Sequence, residues 1–201
     1  MSDDCHDWKP MSVNEVAELL SALTVPWWIA GGWAIDLFVG HQTRFHQDTD
    51  VLIRRDDQLI IQHYLSGWDL HKTNQPGLKP WPKGEFLTLG VNQVWCRVDE
   101  DSPWCLELML LETENDDWVY RRNPKIRAPL FRVGSSTASG IPYLAPEIQL
   151  LYKARRVTLA KDQQDFDISI PRITEEARKW LLSCLEMQFP DGHEWVTALR
   201  K

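Results

Sequence analysis

A glycine pair followed by two aspartates constrains the fold of this chain more than any other feature. The apolar run 28–30 stops at Gly31 and Gly32, and Asp48 and Asp50 follow. Glycines directly after a strand leave no Cβ in the way of a bulky ligand. The free N–H groups at the start of a following helix suit a phosphate. The pattern therefore predicts a strand, a phosphate-binding turn at the two glycines, and then a short helix over residues 33–38.

The two aspartates predict a metal site. Asp48 and Asp50 are two residues apart, so on a strand over residues 48–53 their side chains lie on the same face. Like charges on one face repel, and a divalent cation removes that cost because hard oxygen ligands suit Mg²⁺. A glycine turn for a polyphosphate beside metal-binding carboxylates indicates nucleotidyl transfer. The alternative, if the aspartates are taken alone, is a surface turn with two solvated carboxylates.

The complete motif resembles the signature of the nucleotidyltransferase superfamily with the DNA polymerase β-like fold, in which Gly-Gly is followed by a spaced Asp-x-Asp. It is most similar to the aminoglycoside 2''-adenylyltransferase family in these residues: Gly31-Gly32-Trp33-Ala34-Ile35-Asp36, Gly40, Thr43-Arg44, His46 and Asp48-Thr49-Asp50. The resemblance implies an α/β fold with a small mixed sheet flanked by helices and a helical C-terminal part. It also implies transfer of a nucleoside monophosphate, AMP from ATP, with two Mg²⁺ ions as cofactors.

Glu107 interrupts an otherwise apolar strand over residues 104–111. A carboxylate buried there without a partner would be costly, and a metal would supply the partner. The superfamily places a third acidic residue on a strand beside the aspartate pair, so the resemblance assigns Glu107 to the catalytic and metal set with Asp48 and Asp50. It would act as a metal ligand or as the base that takes the acceptor's proton. Two alternatives are a solvent-facing edge strand and a role for Glu112, which by strand parity points to the opposite face.

Five residues are assigned to nucleotide binding: Gly31, Gly32, Arg44, His46 and Lys153. Arg44 suits a phosphate or an aspartate, and its alternative role is a surface salt bridge. His46 either orients a carboxylate or phosphate or is an ordinary loop histidine. Lys153 lies at the margin of the apolar stripe of a helix, where a lysine commonly extends to water. Similar helices in the superfamily precede a Lys-Asp-x-x-Asp segment, here residues 161–165, which favours a triphosphate contact. Asp36 is predicted to bond locally to the following loop.

Acidic residues flank the strand that carries Glu107, at 99–101 before it and at 112–117 after it. Acid on one surface concentrates cationic ligands, and an aromatic ring beside it offers a wall for a sugar or an ammonium group. We therefore predict a small cationic acceptor, with an aminoglycoside as the favoured class. The predicted contacts are Glu112, Asp116, Asp117 and Trp118. The alternatives are solvated turns that only aid solubility, a lincosamide-type acceptor, a macromolecular target of a toxin or regulator, and a catalytically dead binding module.

Composition excludes some partners. The formal net charge is −7 and no long basic run occurs, which disfavours nucleic acid. No apolar run has the length of a membrane span. The four cysteines (Cys5, Cys96, Cys105 and Cys184) lack metal or disulfide spacing, which predicts reduced thiols in a cytoplasmic protein. We predict a nucleotidyltransferase domain over residues 1–140 and a helical subdomain over 141–201 that closes the cleft. The partners are a nucleotide and a small acceptor, and the sequence makes no prediction of oligomeric state.

Overall fold

A computed structural model describes three ranges of the chain: residues 7–73, 77–155 and 158–201. Cys5, one of the four predicted thiols, lies outside them, and the other three cysteines are free and buried. The chain forms two compact units, one of Met1–Trp33 with Phe45–Thr113 and one of Ala34–Arg44 with Glu114–Lys201. The predicted division after residue 140 stays a prediction. None of the helices in the described ranges is both long and apolar enough to cross a membrane.

The fold is mixed α/β, as predicted. The α-helices of the described residues are α1 (Val13–Leu19), α2 (Gly31–Val39), α3 (Gln58–Tyr64), α4 (Pro146–Lys153), α5 (Ala160–Ser169), α6 (Glu175–Gln188) and α7 (Glu194–Leu199). The strands are β1 (Trp27–Ile29), β2 (Asp50–Arg54), β3 (Asp69–Thr73), β4 (Leu78–Pro80), β5 (Gln93–Arg97), β6 (Leu106–Leu111), β7 (Thr113–Glu114), β8 (Asp117–Val119), β9 (Arg127–Pro129), β10 (Gly134–Ser136) and β11 (Pro142–Leu144).

The first unit is built on six strands of a mixed sheet in the order β1-β2-β6-β5-β3-β4. β2 and β6 run parallel at its centre, and the other pairings among these strands are antiparallel. The two central strands are apolar and mostly buried, which is expected of strands covered on both faces. α1 is capped by Ser12, whose hydroxyl accepts from the Glu15 N–H while the Glu15 carboxylate accepts from the Ser12 N–H, and this forms a capping box.

The second unit contains the predicted C-terminal helices and a cluster of aromatic rings. α4 begins at Pro146, and α6 begins after Thr174, whose hydroxyl accepts from the Ala177 N–H. Trp118 is fully buried and its ring centroid lies 6.1 Å from that of Trp180. Residues 126–144 are predicted to be irregular from their turn residues. Three short strands, β9, β10 and β11, form there instead. Pairing with neighbouring strands stabilises them where the local sequence has little strand propensity.

One predicted strand is absent. Residues 85–89 suggest an extended strand but are irregular in the structure. Their backbone groups bond to side chains instead, since the Leu87 N–H donates to Gln58 Oε1 (2.6 Å) and the Leu87 carbonyl accepts from Arg55 Nη1 (3.1 Å). Buried backbone groups must find partners somewhere, and here long polar side chains replace a strand.

Candidate active site

The three predicted carboxylates lie close together at one end of the central strands β2 and β6. Asp48, Asp50 and Glu107 each offer an oxygen, and these atoms lie within 4.8 Å of one another. Asp50 is the first residue of β2 and stands opposite Glu107 of β6 in the parallel register. Asp48 lies just before β2 instead of on it, so the predicted strand begins two residues later than expected. The three side chains differ in exposure, since Asp48 is exposed, Asp50 is half-buried and Glu107 is buried.

Backbone and hydroxyl bonds fix the segment between the two aspartates. Thr49 is fully buried, and its hydroxyl donates to the Met11 carbonyl (2.6 Å). The Thr49 carbonyl accepts from the Glu107 N–H (3.0 Å), and the Asp50 carbonyl accepts from the Ala30 N–H (2.8 Å). The carboxylates therefore project from a backbone that is bonded on both sides, which limits their movement.

Gly31 is required by Asp50. Its φ of +65° is in the left-handed region that glycine favours, and a Cβ built there would lie 2.0 Å from Asp50 Oδ2. The pattern predicts that the glycine pair makes room for a phosphate. The structure shows a second reason for a glycine at this position, namely that the first residue of α2 packs directly against a carboxylate of the cluster.

The electrostatics of Glu107 indicate a site for a cation. Burial, followed by the negative charges of Asp50 and Asp48, raises the pKa of Glu107 to about 8, while hydrogen bonds from Trp95 and Gln93 lower it in part. Its Oε1 atom is buried and has no hydrogen-bond partner. A buried oxygen without a partner is costly, and hard carboxylate oxygens in a group of three suit Mg²⁺. The residues present therefore fit a divalent metal.

The raised pKa of Glu107 predicts how stability depends on pH without metal. The folded state holds this proton more tightly than the unfolded state, so the contribution to stability falls as pH rises from about 4.5 to about 8. The loss above the upper limit is on the order of 5 kcal/mol. Glu107→Gln should therefore be more stable than the wild type in EDTA at about pH 9, and the difference should shrink towards about pH 4. Chemical unfolding at both pH values measures this. An equal difference at the two pH values would contradict the prediction.

The competing carboxylate, Glu112, has a different partner. It lies directly after β6, and its Oε1 is 2.6 Å from Nη2 of Arg55, a guanidinium that is only 6 % exposed. Glu112 is not a member of the carboxylate cluster with the two aspartates. The structure thus brings Glu107, and not Glu112, beside Asp48 and Asp50.

Arg44 and Lys153 are both bonded to aspartates of α5. Arg44 donates two hydrogen bonds to Asp165, each 3.0 Å long, and Lys153 Nζ lies 2.8 Å from Asp165 Oδ2 and 3.2 Å from Asp162 Oδ1. Burial raises the pKa of Asp165, but the bonds and charges of the two cations outweigh it and leave the pKa below its usual value. The segment 161–165 thus contains the partners of both cations, and Lys153 does not extend to water, since it is only 8 % exposed.

His46 and Asp36 adopt local structural contacts. The His46 ring is buried and lies against Trp33, with 4.5 Å between the ring centroids. Asp36 Oδ1 accepts from both the N–H (3.1 Å) and the hydroxyl (2.5 Å) of Thr43, as the local-bond prediction requires. These contacts shape the loop before the two aspartates of the carboxylate cluster.

Two of the four predicted acceptor contacts have partners within the protein. Trp118 is fully buried and its indole N–H donates to the Tyr152 hydroxyl (3.1 Å), so the ring offers no exposed wall. Glu112 is paired with Arg55, as described above. Asp116, in the turn between β7 and β8 with a φ of +66°, is exposed, and Asp117 is half-buried. Contact of these two aspartates with an acceptor stays a prediction.

Comparison with known proteins agrees with this geometry. Residues 12–76, which carry the glycine pair and both aspartates, match the family model described as aminoglycoside-2''-adenylyltransferase. The structure of the lincosamide antibiotic adenylyltransferase LnuA, solved with lincomycin bound, is similar to this chain with a TM-score of 0.56 and 19% identity, over 84% of this chain and 100% of that one. Residues 12–76 are thus similar to that family, and the solved structures share the fold of this chain.

Other solved structures share the fold of this chain. The solution structure of the antibiotic-resistance factor ANT(2'')-Ia has a TM-score of 0.57 at 18% identity, over 89% of this chain and 93% of that one. An antigenic nucleotidyltransferase-like protein from Paracoccidioides brasiliensis has a TM-score of 0.51 at 17% identity, over 94% and 90%. No curated protein matches the sequence. The likeness to these structures supports the fold, while the acceptor has to be argued from this chain's own residues.

Proposed function

We propose that this nucleotidyltransferase transfers AMP from ATP to a hydroxyl group of a small cationic acceptor, an aminoglycoside being the favoured class, and releases pyrophosphate. The cluster of Asp48, Asp50 and Glu107 supports the proposal most directly, because three carboxylate oxygens lie within 4.8 Å of one another. Structural carboxylates normally have cationic or hydrogen-bonding partners, whereas Glu107 Oε1 has none.

Each carboxylate has a distinct part in this reaction. Asp48, Asp50 and Glu107 would hold two Mg²⁺ ions, which would neutralise charge on the phosphates and on the attacking and leaving oxygens of an in-line displacement. Asp50 is held against Gly31, so its position is fixed before ligands bind. Asp48 is exposed and can meet a nucleotide that arrives from solvent. Glu107 is buried with a raised pKa, which suits a group that accepts the proton of the acceptor hydroxyl.

The nucleotide contacts are proposed from the start of α2. Gly31 and Gly32 begin that helix, and their N–H groups suit the triphosphate. His46 would orient the loop beside it. Arg44 and Lys153 neutralise Asp162 and Asp165 one for one, so little positive charge is left for a phosphate. We therefore propose that these two cations fix segment 161–165, and their contact with the nucleotide stays a prediction.

The acceptor proposal rests on charge. The chain carries a net charge of −7, and residues 99–101 and 114–116 are exposed acidic turns at the two ends of β6. ATP is anionic and would be repelled by them, whereas a polycation would be attracted. The structures with similar folds include ANT(2'')-Ia in complex with adenylyl-2''-tobramycin and LnuA with lincomycin. A lincosamide is therefore the second candidate. Free buried thiols support action in a reducing compartment, the cytoplasm, where ATP is available.

Incubation with radiolabelled ATP, Mg²⁺ and a panel of aminoglycosides, lincosamides and bulk tRNA tests the proposal. Label should transfer to an aminoglycoside and depend on the metal. Transfer to tRNA alone would favour the macromolecular alternative, and transfer to a lincosamide alone would replace the acceptor class. No transfer to any acceptor, with ATP bound, would point to a binding module.

Ionic strength should change the affinity for the acceptor. We expect the KM for an aminoglycoside to rise several-fold between low and physiological salt, because screening weakens attraction by a charged surface. Asp116→Asn combined with Asp117→Asn should raise KM further with kcat retained. Glu175→Gln combined with Glu176→Gln on α6 removes the same charge from exposed positions and serves as the control. A KM that ignores salt would count against a cationic acceptor.

A further inference from the structure

The sheet face that carries Asp50 and Glu107 continues across the two strands beside β6. Glu107 is directly opposite Trp95 of β5, and Trp95 is directly opposite His71 of β3. Residues paired in this way project to the same face, and neighbouring strands are about 4.8 Å apart, so His71 lies about 10 Å from Glu107 across the sheet. Gln93 is two residues before Trp95 and shares this face, because strand side chains alternate.

The two faces of these strands differ in burial. On the opposite face, Leu70, Val94 and Leu108 are at most 7 % exposed and belong to the core. On the open face (Gln93, Trp95 and His71), all three side chains are only half-buried. Ligand sites are commonly lined by aromatic rings with a few polar groups among them. A half-buried indole and imidazole next to the carboxylate cluster therefore form a surface on which a ligand can lie.

The His71 ring has a fixed orientation. Its Nε2 lies 2.9 Å from Asp69 Oδ1, and Arg97 Nε donates to the other oxygen of the same carboxylate (2.7 Å). The ring centroid also lies 5.2 Å from that of Trp104. Because a carboxylate only accepts, Nε2 carries the proton, and in the neutral ring Nδ1 is an acceptor. Nδ1 has no partner among the described residues, so it is available to a donor of the ligand.

The Trp95 ring is held between other aromatic rings. Its centroid lies 5.0 Å from that of Trp8 and 5.8 Å from that of Trp104, both in edge-to-face geometry. Trp104 is 1 % exposed, whereas Trp8 and Trp95 are half-buried. The plane of the Trp95 indole is therefore fixed by its neighbours while part of the ring stays open to a ligand.

Charge favours the acceptor over the nucleotide as the ligand of this face. The cations of β3 and β5 are Lys72 and Arg97. Lys72 alternates to the other face and pairs with Glu85 (2.5 Å), and Arg97 is only 6 % exposed and pairs with Asp69. A triphosphate would meet no cation without a carboxylate partner on these two strands. An ammonium group, by contrast, is attracted both by the carboxylate cluster and by indole rings.

We propose that the open face beside Glu107 binds the acceptor. The Trp95 ring is the wall against which a sugar ring of the acceptor lies, and His71 Nδ1 accepts a hydrogen bond from an ammonium or hydroxyl group of the acceptor. The inference rests on the proposed function, because it takes the carboxylate cluster as the place of transfer. It places acceptor contacts on β3 and β5 in place of Glu112 and Trp118, which have partners within the protein.

His71→Gln tests the hydrogen bond. The glutamine amide nitrogen is as many bonds from Cβ as Nε2 is, so it keeps the contact with Asp69 but offers no acceptor at the position of Nδ1. We expect the KM for tobramycin to rise about 10-fold, with kcat and the KM for ATP nearly unchanged, because a hydrogen bond to a charged group of the acceptor is lost. His71→Asn should lose less affinity, since its amide oxygen is as many bonds from Cβ as Nδ1 is. His63→Gln on α3, which removes an exposed imidazole, is the matched control.

Trp95→Leu tests the aromatic wall. Titration of tobramycin into the protein with Mg²⁺ and a non-hydrolysable ATP analogue, followed by calorimetry, measures acceptor affinity without turnover. We expect Trp95→Leu to weaken this affinity about 5-fold, because leucine has no ring face for a sugar or an ammonium group. Trp68→Leu is the control, since Trp68 is equally half-buried but precedes β3 and lies outside the open face. Thermal unfolding without ligand shows whether each variant is folded, and His71→Gln alone decides if Trp95→Leu is not.

The outcomes separate this inference from the proposed function. Wild-type affinity in a folded His71→Gln or Trp95→Leu variant, or losses no larger than those of the two controls, would overturn the inference. The proposed function would then still stand if the wild type adenylylates tobramycin. If label is transferred to lincomycin instead, the same titrations with lincomycin decide whether the open face binds the acceptor. A wild type that neither binds nor adenylylates either compound would refute the proposed acceptor, and the inference with it.

Discussion

Gly31→Ala should abolish AMP transfer almost as completely as Asp50→Asn. A Cβ at residue 31 would lie 2.0 Å from Asp50 Oδ2, and the backbone there has a φ of +65°. The carboxylate has to move, and a misplacement of about 1 Å in a catalytic group can cost about 100-fold in rate. Asp50→Asn removes a charge that is proposed to bind metal and should lower kcat by at least the same factor. Steady-state kinetics at saturating Mg²⁺ and ATP compare the two variants.

The stability of the same variants separates the causes. Asp50→Asn relieves repulsion within the cluster and should make the metal-free protein slightly more stable. Gly31→Ala should be less stable, because alanine is strained at a positive φ. Gly84→Ala is the control for strain alone, since φ is +79° and a Cβ there would meet nothing within 4 Å. It should lose stability but keep its turnover. Near-wild-type turnover of Asp50→Asn would refute the metal assignment, and that of Gly31→Ala would refute the positioning of Asp50 by the glycine.

The three clustered carboxylates could be predicted because each is marked by a local pattern. Asp48 and Asp50 have the spacing of a shared strand face after a glycine turn, and Glu107 is the one charge within an apolar strand. A carboxylate in such a pattern is costly in free energy unless it has a partner, and this cost is what makes the pattern informative. The fold class could be predicted from the same motif, because proteins that carry the motif share one arrangement of strands.

The supporting residues could not be predicted because their partners are distant along the chain. Trp95 is opposite Glu107 only through the register of β5 and β6, and a shift of one residue would place it on the other face. Arg44 pairs with Asp165, which is 121 positions away. The sequence shows that the chain contains a cationic side chain, but many carboxylates could pair with it. Only the fold determines which of them does. The burial of Trp118 could not be predicted for the same reason. The tertiary neighbours of a tryptophan decide whether it lines a ligand site or packs in a core.

Arg55 is the clearest example of a residue whose partners are distant along the chain. Replacing it should lower the free energy of unfolding more than any surface substitution. The side chain is only 6 % exposed, and its guanidinium binds the Glu112 carboxylate and the Asn92 side chain. Its Nη1 also donates to three backbone carbonyls, those of Leu87, Thr88 and Val91. Arg55→Met keeps the aliphatic stem but leaves these acceptors unpartnered. Breaking a buried ion pair on one side costs about 3–5 kcal/mol, and urea unfolding at neutral pH measures the free energy of unfolding.

Two comparisons make this result specific to the buried pair. Arg200→Met removes an exposed pair with Glu186 and should cost less than about 1 kcal/mol. Adding Glu112→Gln to Arg55→Met should recover part of the loss, because the stranded charge is then gone. A cost for Arg55→Met no larger than that for Arg200→Met would contradict the prediction.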